Sequence, residues 1–82
     1  MADRLRRLAT PSAARVRVGE GGVPVAFAGA GVDSLREDWV VEDRWWTGRP
    51  VRRRYFELVL EDGRNVVVFH DLSAGGWFTQ RG

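Results

Sequence analysis

Residues 51–71 read VRRRYFELVLEDGRNVVVFHD, and this stretch decides the fold. Two β-prone runs, Val51 to Leu60 and Arg64 to Asp71, flank Asp62-Gly63, a dipeptide that strongly favours a tight hairpin turn. A two-residue turn predicts these cross-strand pairs: Glu61 with Arg64, Val59 with Val66, Glu57 with Val68, and Tyr55 with His70. The sequence therefore predicts one long antiparallel hairpin in the last third of the chain.

Side chains alternate along a strand, so the register of this hairpin predicts which residues share a face. The predicted core face carries Phe56, Leu58, Leu60, Val67 and Phe69. The opposite, mixed face carries Tyr55, Glu57, Val59, Glu61, Val66, Val68 and His70. A one-residue bulge would reassign the faces of one strand, since the period of a strand is two.

The rest of the chain has the regularly spaced turn residues that are typical of a β protein. Turns rich in glycine are expected at 19–22, 29–31, 47–50 and 73–76, with short strands between them. We expect an all-β fold, either a small twisted antiparallel sheet or an SH3-like barrel, of five to six short strands. Residues 1–13 are interpreted as a short basic N-terminal lead-in, and residues 14–82 as a single small β domain.

Length and composition limit what this domain contains. A chain of 82 residues is close to the size at which one core is only marginally sufficient. It has no cysteine, so neither a disulfide nor a thiolate metal site can add stability. No apolar run reaches the 18 or so residues of a membrane span, and no signal-peptide core is present. We expect a cytoplasmic protein with no membrane partner.

The chain has few residues of the types that catalyse reactions or bind metal ions. The only histidine, His70, has no second histidine or cysteine with which to bind a metal. No serine lies in a nucleophile elbow, and no glycine-rich phosphate loop is present. The sequence predicts no catalytic residue, no metal site and no cofactor, and the chain is not expected to be an enzyme.

The functional signal lies in residues 44–56, RWWTGRPVRRRYF. This segment holds five of the thirteen arginines and four of the nine aromatic residues. Strand alternation predicts that Arg52 and Arg54 share a face with Phe56, and that Arg53 shares the other with Tyr55. The candidate binding residues are Trp45, Trp46, Arg49, Arg52, Arg53, Arg54 and Tyr55.

Three interpretations of this segment stay open. Aromatic rings and guanidinium groups together are typical of single-stranded nucleic-acid binding, where bases stack and phosphates are neutralised. The same residue types also anchor protein interfaces. The third interpretation is structural: Trp45 or Trp46 fills the core, and the arginines pair with the acids Glu37, Asp38, Glu42 and Asp43.

The chain also resembles a known family in residues 15–80. The residues that carry the resemblance are Trp39-x-Val41-x-Asp43-Arg44-Trp45-Trp46, Arg52-Arg53-Arg54-Tyr55-Phe56-x-Leu58, Glu61-Asp62-Gly63-Arg64 and Gly76-Trp77. They resemble a small actinobacterial domain of unknown function that is similar to the C-terminal segment of the ImuB-type, Y-family polymerase-like subunit of the translesion mutasome. The resemblance implies a non-catalytic accessory domain in translesion DNA synthesis. It also implies a protein partner, a polymerase-like or recombinase-like subunit, or direct contact with DNA.

Overall fold

The computed structural model describes residues 11–43 and 51–79. Over these residues the fold is all-β, with seven antiparallel strands in one strongly curled, half-barrel sheet. The strands are β1 (Ser12–Ala13), β2 (Val16–Val18), β3 (Pro24–Phe27), β4 (Ala30–Asp43), β5 (Val51–Leu60), β6 (Asn65–Asp71) and β7 (Trp77–Thr79). A single 3-10 turn at Glu20–Gly22 joins β2 to β3. The expected all-β class is confirmed, with more strands than the five or six expected.

The order of the strands across the sheet is β1-β7-β6-β5-β4-β3-β2. From β2 to β7 the chain runs as a meander, in which each strand pairs with the next. β1 and β2 are consecutive in the chain but lie at opposite ends of this order, with only Ala14 and Arg15 between them. The short segment from Ser12 to Val18 therefore pairs with the last strand at its start and with β3 at its end.

The hairpin between β5 and β6 forms, but its predicted register is wrong by one residue. Val59 lies opposite Asn65, Tyr55 opposite Phe69, and Arg54 opposite His70. The loop has three residues, not two: the Gly63 N–H donates to the Leu60 carbonyl at 2.9 Å, and Gly63 has a φ of +91°. This is the type I turn followed by a left-handed glycine that forms three-residue hairpin loops.

The register shift corrects the face assignment of β6. Val66 and Val68 lie on the core face, whereas Val67 lies half-buried on the opposite face. The buried cluster consists of Phe56, Leu58, Leu60 and Val68, and residues from β3, the start of β4 and β7 pack against it. Phe69, also predicted for the core face, is 1% exposed but lies on the opposite side of the sheet. His70 moves to the core face, where its ring stacks on Trp77 at 4.6 Å.

A second tight turn also differs from its predicted position. β3 and β4 are joined through Ala28-Gly29, since Phe27 pairs with Ala30. Both turn residues have positive φ, +50° at Ala28 and +87° at Gly29. That is the backbone of a two-residue hairpin turn whose twist matches the strands. The turn therefore lies one residue before the predicted 29–31, and Ala30 and Gly31 belong to β4.

β4 is the longest strand, and it bends. Its pairing with β5 shifts between Val32 and Ser34 and again between Leu35 and Glu37, as at β-bulges. Bulges of this kind bend a strand and increase its twist. From Glu37 to Asp43 the pairing with β5 is then continuous.

Candidate protein-interaction surface

The two sides of the β5 strand carry different chemistry. We call the side with Phe56 and Leu58 the core face, and the side with Tyr55 the aromatic face. Arg52 and Arg54 lie on the core face and Arg53 on the aromatic face, as strand alternation predicts. Of the other candidates, Trp45, Trp46 and Arg49 lie outside the described residues.

The two core-face arginines are held in ion pairs with β4. Arg54 donates to both carboxylate oxygens of Asp38, from Nε at 3.0 Å and from Nη2 at 2.6 Å. Its Nη1 donates to the Gly21 carbonyl at 3.0 Å, and its guanidinium lies 4.8 Å from the centre of the Phe56 ring. Arg52 donates from Nε to Glu42 at 2.8 Å. Intramolecular pairing with the acids of 37–43 therefore holds for these two arginines.

The bidentate pair changes the protonation equilibria of its two partners. The hydrogen bond from Arg54 lowers the pKa of the Asp38 carboxyl below 3.8, with desolvation opposing it and the charge of Arg54 assisting. The same bond raises the pKa of the Arg54 guanidinium above its ordinary value. Both directions favour the charged forms, so the pair persists at neutral pH.

The aromatic face carries a continuous row of rings across four strands. Trp39 stacks on Tyr55 at 5.3 Å with planes 7° apart, Tyr55 meets Phe69 at 5.0 Å, and Phe69 meets Phe78 at 5.2 Å. Each neighbour is also a direct cross-strand partner. Aromatic pairs at these separations contribute about 0.5–1.5 kcal/mol each beyond their buried area. We call these four residues the aromatic row.

Arg53 lies over this row. Its guanidinium carbon is 4.5 Å from the centre of the Phe69 ring, and its Nη1 donates to the Tyr55 hydroxyl at 3.4 Å. Its Nε is buried and has no hydrogen-bond partner among the described residues. Asp71 is its cross-strand partner. The pKa of Asp71 is lowered by the backbone N–H groups of Ala74 and Ser73, which donate at 2.9 Å, and further by the charge of Arg53.

At the β4 end the row reaches solvent. Trp39 is 38% exposed, and its neighbours along the strand, Val40 and Val41, are 54% and 38% exposed. Of these three, Trp39 and Val41 share the aromatic face, whereas Val40, the cross-strand partner of Arg54, lies on the core face. Leu35, farther back on β4, is 40% exposed. Exposed apolar residues that are adjacent, unlike isolated ones, mark interaction surfaces.

Carboxylates accompany the exposed end of the row. Glu37 and Glu57 are direct cross-strand partners on the aromatic face, one residue pair away from Asp38 and Phe56. No ion pair links either of them to a cation among the residues that the structure describes. Like charges placed directly opposite each other are destabilising. Glu37 and Glu57 therefore place two carboxylates beside the exposed end of the row.

The sequence-based site missed most of this surface. Trp39, Phe69, Phe78 and Glu57 were not among the candidates, although the alternation of Trp39 with Val41 was a signal that β4 has a second apolar face. Over the described residues, no group of three or more histidine, cysteine or acidic side chains is placed to hold a metal ion. No helix within the described ranges is long and apolar enough to cross a membrane.

Comparisons with protein-family models, with curated proteins and with solved structures gave no match for this chain.

Proposed function

We propose that this chain is a non-catalytic interaction module that binds another protein through the β4 end of its aromatic face. The observation that carries the proposal is the position of Trp39. It ends a stacked aromatic row, it is 38% exposed, and on the same face it lies between the exposed Val41 and the paired carboxylates of Glu37 and Glu57. Rigid aromatic side chains supported from behind are typical anchors of protein interfaces.

Charge disfavours the alternative, single-stranded nucleic-acid binding. Such sites combine aromatic platforms with cations that follow the phosphates. Here Arg52 and Arg54 are held by carboxylates, and the carboxylates of Glu37 and Glu57 would lie beside the exposed ring. A polyanion would be repelled from the part of the aromatic row that solvent reaches.

The proposal includes a finer fold class and a biological setting. Two features support an SH3-like barrel. β4 bends at its two bulges, and residues 12–18 pair with β7 at one end of the sheet and with β3 at the other. The resemblance to the accessory segment of the mutasome subunit supports a role in translesion DNA synthesis. The partner would then be a polymerase-like or recombinase-like subunit in the cytoplasm.

Affinity capture with matched variants tests the interaction. Trp39→Ala removes the exposed ring, whereas Val18→Ala removes a side chain of similar exposure, 42%, on β2. A protein captured by the wild type should be retained by Val18→Ala and lost by Trp39→Ala. Equal retention by the two variants would contradict the assignment of the surface.

A second measurement separates the two classes of ligand. Fluorescence anisotropy of a labelled single-stranded oligonucleotide should stay unchanged on addition of the protein, at low and at moderate salt. Binding that weakens steeply with added salt would instead support the nucleic-acid alternative, because counterion release has that signature.

A further inference from the structure

The long strand β4 has one side that no described strand covers. β3 pairs only with Ala30 and Gly31, and from Val32 to Asp43 the partner of β4 is β5. On the opposite side, no other strand within residues 11–43 and 51–79 pairs with this part of β4. Unpaired backbone groups along a strand are a template for another chain.

The hydrogen-bonding pattern identifies which backbone groups point outward. In β5, the Leu60 N–H donates to Arg64 and the Arg52 carbonyl accepts from Leu72, both at 2.8 Å, so even-numbered residues face β6. Odd-numbered residues then face β4, because the direction alternates along a strand. Their partners Trp39 and Val41 therefore face β5.

It follows that the residues between them face away from β5. The backbone N–H and C=O groups of Asp38, Val40 and Glu42 point outward from the sheet. These groups lie in the segment whose side chains Trp39, Val40 and Val41 are exposed. An open backbone edge and exposed apolar side chains thus coincide, as they do where a peptide is added to a sheet as an extra strand.

A second copy of this chain does not suit this edge. Antiparallel self-pairing centred on Val40 would place Asp38 opposite Glu42, and Glu37 opposite Asp43, of the other copy. The segment 37–43 has four acids and no base. Asp38 and Glu42 are already paired with Arg54 and Arg52, so the charge that opposes self-pairing and favours a basic strand is that of Glu37, which has no ion pair among the described residues.

We infer that the open edge of β4, from Asp38 to Glu42, binds an extended partner segment that alternates apolar and basic residues. The inference rests on the proposed function and specifies its mode and partner chemistry. The added strand hydrogen-bonds to Asp38, Val40 and Glu42. Its basic side chains on the aromatic face lie beside Trp39 and Glu37, where a cation gains both a ring face and a carboxylate.

The chain provides a matched pair of variants for this test. Val40→Pro removes an N–H that makes no bond to β5, so it blocks the edge while leaving the β4–β5 ladder intact. Val40→Thr makes a similar change in apolar area but keeps that N–H. The probe is a short peptide of alternating valine and arginine, titrated by calorimetry, with alternating valine and glutamate as its control.

The wild type and Val40→Thr should bind the arginine peptide with equal affinity, and Val40→Pro should bind it about tenfold more weakly, the effect of losing a hydrogen bond and the contacts beside it. The glutamate peptide should not bind. Equal binding by Val40→Pro and Val40→Thr would overturn the inference, and so would no binding by the wild type. Both results leave the Trp39 capture experiment, and hence the proposed function, standing.

Two further measurements do not depend on the folding of Val40→Pro. Two isomers of the peptide, N-methylated on every valine or on every arginine, block opposite edges of the peptide strand. Strand addition requires one isomer to bind much more weakly than the other, and equal affinities would overturn the inference. A dimer of the wild type that Val40→Pro abolishes would overturn the choice of a basic partner over a second copy.

Discussion

Replacing Val68 and Val67 by alanine, one at a time, tests the register of the central hairpin. A two-residue loop would place Val67 in the core and Val68 on the mixed face, whereas the three-residue loop at Glu61–Gly63 does the reverse. Val68 is 0% exposed and belongs to the cluster with Phe56 and Leu58. Val67 is only half-buried, on the aromatic face opposite Glu57.

The structure sets the size of the two effects. Val68→Ala removes two buried methyl groups, worth about 0.8 kcal/mol each, and leaves a cavity, which together give about 2–3 kcal/mol. Val67→Ala removes the same atoms from a half-exposed position and should cost about 0.5–1 kcal/mol. In a domain of this size, 1 kcal/mol corresponds to about 4–8 °C in Tm.

Urea denaturation followed by tryptophan fluorescence measures both free energies of unfolding, and thermal melts check them. The m-values should be unchanged, which would show that only stability differs. A loss for Val67→Ala that equals or exceeds the loss for Val68→Ala would refute the three-residue loop and restore the two-residue register.

Two more predictions concern the charged residues. Arg54→Ala should destabilise the fold by about 1–2 kcal/mol, since it removes a bidentate ion pair and a ring contact. Arg52→Ala should change stability by less than about 0.5 kcal/mol, because the ion pair of Arg52 with Glu42 is more than half exposed. Similar losses of unfolding free energy in urea melts would contradict this ranking. The lowered pKa values of Asp38 and Asp71 stabilise the fold above pH 3.8, and this stabilisation should be lost as the pH falls below that value through the folded-state pKa values. Asp38→Asn should flatten this acid limb in a pH series of urea melts, and a limb as steep as that of the wild type would count against the role of the Arg54 pair.

The sequence predicted the fold class and the existence of the hairpin, because the β-prone runs around Asp62-Gly63 are long and regular. It also predicted the opposite facing of Arg53 and Arg54, since strand alternation needs no register. The register itself could not be predicted. A turn containing Asp-Gly suits both two-residue and three-residue loops, and residues 66–68 are three valines, which satisfy a core face in either register.

The candidate surface was less predictable still. The aromatic row depends on three successive cross-strand pairings, from Trp39 to Phe78, and a shift by one residue in any of them breaks it. The position of the turn at Ala28-Gly29 was also hard to predict, because nothing in the sequence indicates that an alanine will have a positive φ. The density of arginine and tryptophan in 44–56 predicted a binding site in the neighbouring segment, and of its seven candidate residues Arg52, Arg53, Arg54 and Tyr55 have described positions.

The segment from Ser12 to Val18, which pairs with both ends of the sheet, has a consequence for synthesis on the ribosome. Ser12 emerges early, but its partner Thr79 is among the last described residues to be made. The pairings of the meander from β2 to β6 do not involve β7, whereas β1 stays without its partner until β7 has left the exit tunnel. Contacts so distant in sequence slow folding. Closure of the sheet between β1 and β7 therefore needs both ends of the described chain, and a truncation that removes β7 also leaves β1 unpaired.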